Sequence, residues 1–184
     1  MKYRLALSTI SSLAFTPLAA EKAAKQSEAK ELELVVSYAN SLFSEDCYQF
    51  KDAFSYVQFN KKYQIDDHLI YEILCRAAAY NGFSRWFMQS SDGSFTPVYF
   101  SMPELEKKSS GQFIIAGFRE ENELVNPEFD YETQTVISVN NWVGSGEASE
   151  RTEWEFQDGS FVFSKYLVDE TYDGKVNPIL VEEE

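Results

Sequence analysis

Histidine is nearly absent from this 184-residue chain, which has one (His68) against 30 acids and 16 bases. A serine–histidine or cysteine–histidine relay would have to run through that single ring. Its neighbours Asp66 and Asp67 suggest a turn, where an exposed loop histidine is the ordinary reading. Cysteine is scarce as well, and Cys47, Cys75 and the distant His68 leave a zinc ligand set short. No Gly-x-Ser-x-Gly elbow, phosphate-binding loop or His-Glu-x-x-His pattern occurs. The net charge of −14 repels nucleic acid and anionic lipid. Nowhere do about 20 apolar residues follow one another, as a membrane-crossing helix requires. The sequence therefore offers no catalytic, cofactor-binding or metal-binding set.

What is present begins at the N-terminus. Residues 1–20 read as a secretory signal peptide: Lys2 and Arg4 precede an uncharged stretch from Leu5 to Leu18, and Ala19-Ala20 makes a small-residue end. Cleavage is expected after Ala20, although Leu18 is larger than the usual residue three before a cut. Taking Lys2 and Arg4 from the 16 bases leaves 14 against 30 acids, a balance of −16. A periplasmic or secreted protein of bacterial type follows, with no membrane insertion once the leader is gone. Its acidity serves solubility and would suit a basic protein partner. In that compartment Cys47 and Cys75 are expected to pair, closing a loop worth on the order of 3 kcal/mol.

Residues 21–31 (EKAAKQSEAKE) have almost nothing to bury and read as a flexible linker or a frayed first turn. From Glu31 to Phe43 the apolar residues Leu32, Val35, Val36, Ala39, Leu42 and Phe43 recur at helical spacing, which predicts one amphipathic helix. After Cys47, short aromatic and β-branched runs alternate with turn dipeptides. Asp92-Gly93, Asp158-Gly159 and Asp173-Gly174 each signal a hairpin. Strands are expected at 70–76, 83–89, 95–100 and 112–118, at 134–141, and on both sides of the 158–159 turn. Residues 77–82, 101–111 and 119–133 read as connections, the last with a turn at Asn126-Pro127. The expected architecture is one mainly β domain over 32–180, with antiparallel hairpins in a curled sheet, sandwich or barrel. With its N-terminal amphipathic helix the class is α+β.

Three weaker patterns complete the inventory. Thirty acids guarantee that some pair lies close in space, so a glycosidase pair cannot be read without geometry. Asp169, Glu170 and Asp173 cluster near one turn without the ligand order of a calcium loop. Tyr80, Trp86 and Tyr99 could present an aromatic surface, although strand alternation sends half of the local aromatics, with Phe87 and Phe100, into a core.

The segment 75–103 carries a resemblance. Cys75-Arg76, Ala78-Ala79-Tyr80-Asn81, Trp86-Phe87, Pro97-Val98-Tyr99-Phe100 and Pro103 resemble a family of exported bacterial proteins catalogued as domain of unknown function 1176. Phe129–Ser138, Trp154-Glu155-Phe156 and Gly159-Ser160-Phe161 continue it, so that it spans about 45–170. The chain departs from the pattern at Gly144-Ser145-Gly146-Glu147-Ala148, where a cysteine-containing motif is usual. The resemblance implies an exported, periplasmic protein and supplies no reaction or catalytic residue. Three functions compete: a non-enzymatic binding or envelope accessory domain, in one form an acidic inhibitor of a basic exported enzyme such as lysozyme; a carboxylate hydrolase acting on cell-wall sugars; and a calcium-dependent envelope domain.

Overall fold

The computed structural model describes residues 17–43 and 47–183. Its first element, α1 (Pro17–Leu42), runs through the stretch expected as a linker. Residues 21–31 are helical because Ala, Lys, Glu and Gln are strong helix formers that need no burial to hold the conformation. The Glu21–Lys25 pair one turn apart adds to this. Burial starts at Ala29 and continues at Leu32, Val35, Val36 and Ala39, the stripe that the spacing predicts. Of the expected leader, residues 1–16 lie outside the described residues, and Pro17–Ala20 form the first turn of α1.

A short helix, α2 (Ala53–Phe59), follows, capped by Asp52, whose side chain accepts the Ser55 N–H. The disulfide Cys47–Cys75 ties the segment between the two helices to a strand. That strand belongs to a sheet of β1 (Lys61–Ile65), β2 (His68–Ala77), β3 (Gly82–Gln89) and β4 (Phe95–Pro97) in order, with β7 (Glu123–Val125) also paired to β3. Between them lies a separate hairpin of β5 (Phe100–Lys107) and β6 (Phe113–Glu121). Residues 101–111, expected as a polar connection, thus hold most of a strand. Pro103 is tolerated there because a two-stranded hairpin leaves β5 one open edge, where a missing N–H costs no ladder bond.

The second large sheet runs β12-β11-β10-β9-β8, from β8 (Glu128–Asp130), β9 (Thr135–Asn141), β10 (Ser149–Gln157), β11 (Ser160–Asp169) and β12 (Ile179–Leu180). Asp158-Gly159 makes the tight β10–β11 turn, with both residues at positive φ. Asp173-Gly174 instead lies in a wide loop, since the chain returns to pair Leu167 with Leu180. Neither large sheet closes on itself, so the barrel alternative drops away and the mainly β, α+β class stands.

The first sheet is covered on both faces. Tyr71, Ile73, Cys75 and Phe87 pack beneath α1 and α2. The alternate residues Ile70 and Trp86 meet Val136, Trp154, Phe156 and Phe161 of the second sheet. A third, smaller cluster joins the hairpin to the second sheet through Ile115, Tyr166, Val168 and Val181. Asn126 stands at positive φ in the turn before β8. Its side chain accepts from Gly82 N–H and donates to Asn81 and to the Val139 carbonyl, locking the start of β3 to β9.

Candidate functional site

Both large sheets end in short strands, β1 in one and β8 in the other, and a cleft of about 480 Å³ opens beside these two edges. That volume lies in the range of small-ligand sites. α1 contributes Glu28, α2 and its C-cap contribute Val57 and Asn60, β1 contributes Lys61–Tyr63, and β8 with the turn after it contributes Glu128, Phe129 and Tyr131.

β1 turns alternate side chains to opposite faces of its sheet, and each of its lysines meets a glutamate to which a tyrosine also donates. Lys61 lies 3.3 Å from Glu72 of β2, which also accepts from Tyr63 Oη (2.6 Å) and Ser84 Oγ (3.2 Å). Glu72 is only 4% exposed, and burial pushes its carboxyl above the ordinary value despite Lys61 and the hydrogen bonds. Burial and then the Glu72 charge raise the Tyr63 hydroxyl well above its usual range. On the helix side Lys62 bridges to Glu31 at 2.8 Å, and Tyr71 Oη donates to the same carboxyl. Burial opposes the charge on Glu31, yet Lys62 and Tyr71 together hold its carboxyl below the ordinary value.

Three rings form the aromatic wall. Tyr63 stacks on Trp86 and meets Phe129 at 4.9 Å and Tyr131 at 5.9 Å, of which Tyr131 is 62% exposed. Among the residues lining the cleft, Asn60 stands apart. Although 1% exposed, it lines the cleft, and its Oδ1 accepts the Leu74 N–H, which fixes the amide orientation. Among the described residues its Nδ2 has no hydrogen-bond partner. A buried, unsatisfied donor costs about 1–3 kcal/mol, so it marks a place where an acceptor belongs.

The residues singled out from sequence lie elsewhere. Cys47 and Cys75 form the disulfide. Tyr80 and Tyr99 are exposed, but Trp86 is fully buried with Phe87 and Phe100, so Tyr80, Trp86 and Tyr99 make no common surface. The reason is parity on β3, where Trp86 faces the second sheet and Phe87 the helices. His68 is half-buried rather than exposed, its ring edge-on to Phe156 and beside Gly159, and both cysteines are committed to the disulfide. Asp169, Glu170 and Asp173 have separate partners. Asp169 accepts from Thr171 and Asn177, Glu170 pairs with Lys107, and Asp173 accepts the Lys175 N–H. The motif residues Asn81 and Trp154 serve the frame, Asn81 by bonding Asn140 and the Asn141 carbonyl, Trp154 by donating to the Ser101 carbonyl. Sequence reading missed the cleft. Its one signal was a lone acid, Glu72, inside the apolar run LIYEIL.

The fold and cleft define a disulfide-bonded α+β protein with a polar, aromatic-walled groove between sheet edges. No described helix is long and apolar enough to cross a membrane. The chain belongs to the family described as protein of unknown function (DUF1176), whose model matches residues 9–175, further toward the N-terminus than the resemblance reached. No curated protein and no solved structure matches it.

Proposed function

We propose that the protein works outside the reducing cytoplasm, in the periplasm or secreted, as a non-enzymatic binding domain, and that the cleft beside β1 and β8 is its binding site. The observation that carries the reading is the buried Asn60 amide in the wall of that cleft, fixed by Leu74 and left without an acceptor among the described residues. The Cys47–Cys75 bond agrees with an oxidising compartment. Removal of residues 1–20 would take one turn from α1 and leave every cleft residue in place, the first being Glu28.

Binding accounts for the acids better than hydrolysis does. Glu28 and Glu128 share the cleft, but Glu72, whose carboxyl is pushed up, sits behind Tyr63 and is held by Tyr63, Ser84 and Lys61. A sugar hydrolase needs its raised acid facing the substrate.

The test has two arms. The full chain, expressed in a bacterium with two membranes, should fractionate with the periplasm and resist thiol alkylation after denaturation. As bait in a periplasmic extract it should retain a protein that its Tyr131→Ala variant releases. Reduced thiols in the cytoplasmic fraction, or identical retention by both baits, would refute the proposal.

A further inference from the structure

The geometry points to an extended cationic peptide as the occupant of this cleft: an arginine- or lysine-bearing segment of a basic protein, laid along the open edge of β1. The inference rests on the cleft being a binding site, and it adds the chemistry of what binds.

Charge is the first argument. Lys61 and Lys62 are already committed to Glu72 and Glu31. Among the described residues no cation pairs with Glu28 or Glu128, the two other carboxylates of the lining. The cleft thus holds two unneutralised carboxylates in a chain of net charge −14, and an anionic occupant would be repelled. Beside them Tyr131 offers an exposed ring face, the surface on which a guanidinium stacks.

The backbone of β1 points the same way. β1 ends its sheet, and no described strand pairs with its outer side. Lysine on an edge strand normally discourages strand addition, but here Lys62 is neutralised by Glu31 and Lys61 is drawn back to within 3.3 Å of Glu72. An added strand would gain main-chain hydrogen bonds along β1. The Asn60 Nδ2 donor, shielded at the head of that strand and without an acceptor among the described residues, would take a peptide carbonyl once the added strand turns the amide outward. A cation alone satisfies the carboxylates, and a carbonyl alone satisfies Asn60. A basic peptide supplies both.

The experiment is an NMR titration of the full oxidised chain with acetyl-Gly-Arg-Gly-Lys-Gly-amide. Its glutamine analogue, in which Arg and Lys are both Gln, and cellotriose serve as the other two probes. The cationic peptide should shift the Asn60 side-chain amide and the Lys62–Gln64 backbone, and bind more tightly at about 20 mM than at about 200 mM salt. Glu28→Gln combined with Glu128→Gln should weaken it about tenfold. Equal shifts from the glutamine peptide, or an unchanged affinity in the double variant, would overturn the inference. A cleft that answers cellotriose and ignores the cationic peptide would also overturn it, while leaving the binding site standing. A cleft that answers none of the three, with identical retention by both baits, removes the inference and the site together.

Discussion

Replacing Cys47 and Cys75 together by alanine should leave the fold intact and remove a calculable share of its stability. The bridge joins residues 28 apart. In the chain-entropy model such a cross-link takes about 12 cal/mol/K from the unfolded ensemble, or about 3.6 kcal/mol at 25 °C. The native contacts nearby do not depend on the sulfurs. Tyr48 N–H still donates to the Leu74 carbonyl, the residue 47 N–H to Asn40 Oδ1, and α1 docks through Leu32, Val35, Val36 and Ala39. With a urea slope of about 2 kcal/mol/M, the unfolding midpoint should fall by about 1.8 M. The melting temperature should fall by roughly 7–14 °C. Trp86 and Trp154, both fully buried in the core between the sheets, make tryptophan emission a direct probe of the transition. Reduced wild type should overlay the double variant. A midpoint shift under about 0.5 M would refute the loop-entropy reasoning. Loss of the cooperative transition would refute it from the other side, by showing that the bridge holds the native state itself.

Two further predictions concern buried polar groups. Burial raises the Glu72 carboxyl, so its contribution to stability is complete below about pH 4.3 and drains as pH climbs through the raised value. The midpoint advantage of wild type over Glu72→Gln should therefore shrink between about pH 4 and about pH 8 in urea titrations, and a constant difference would exclude the assignment. Asn126→Ala removes four side-chain hydrogen bonds and forces a Cβ residue without local polar support into φ 43°, so it should cost about 2–4 kcal/mol. Asn126→Gly, free of the conformational penalty, should fall between it and wild type; equal losses would locate the whole effect in the hydrogen bonds.

What the sequence disclosed depended on how local the physics was. Asp158-Gly159 announced its hairpin because a two-residue turn at positive φ needs those residue types, and the α1 stripe announced itself by spacing. β1 went unseen because KKYQI has only five residues and two inward apolar side chains, Tyr63 and Ile65. α2 went unseen because seven residues cannot establish a period, although Asp52 ahead of Ser55 was a readable cap. The cleft was beyond reach for another reason. Glu28, Asn60 and Glu128 are scattered over a hundred residues of chain, and only the meeting of two sheet edges brings them together. Trp86 was grouped with Tyr80 and Tyr99 as a surface because alternation sends only half of a strand's aromatics inward, whereas β3 is covered on both faces and buries Trp86 as well as Phe87.

The cleft also spans a seam. Glu28 belongs to the helical layer, Lys61–Tyr63 to the shared sheet, and Glu128 and Phe129 to the layer beyond it. Whatever settles there grips all three at once, like a clasp over stacked pages. Occupancy would then be felt at a distance, because α1 could no longer lift from the shared sheet without first letting its guest go.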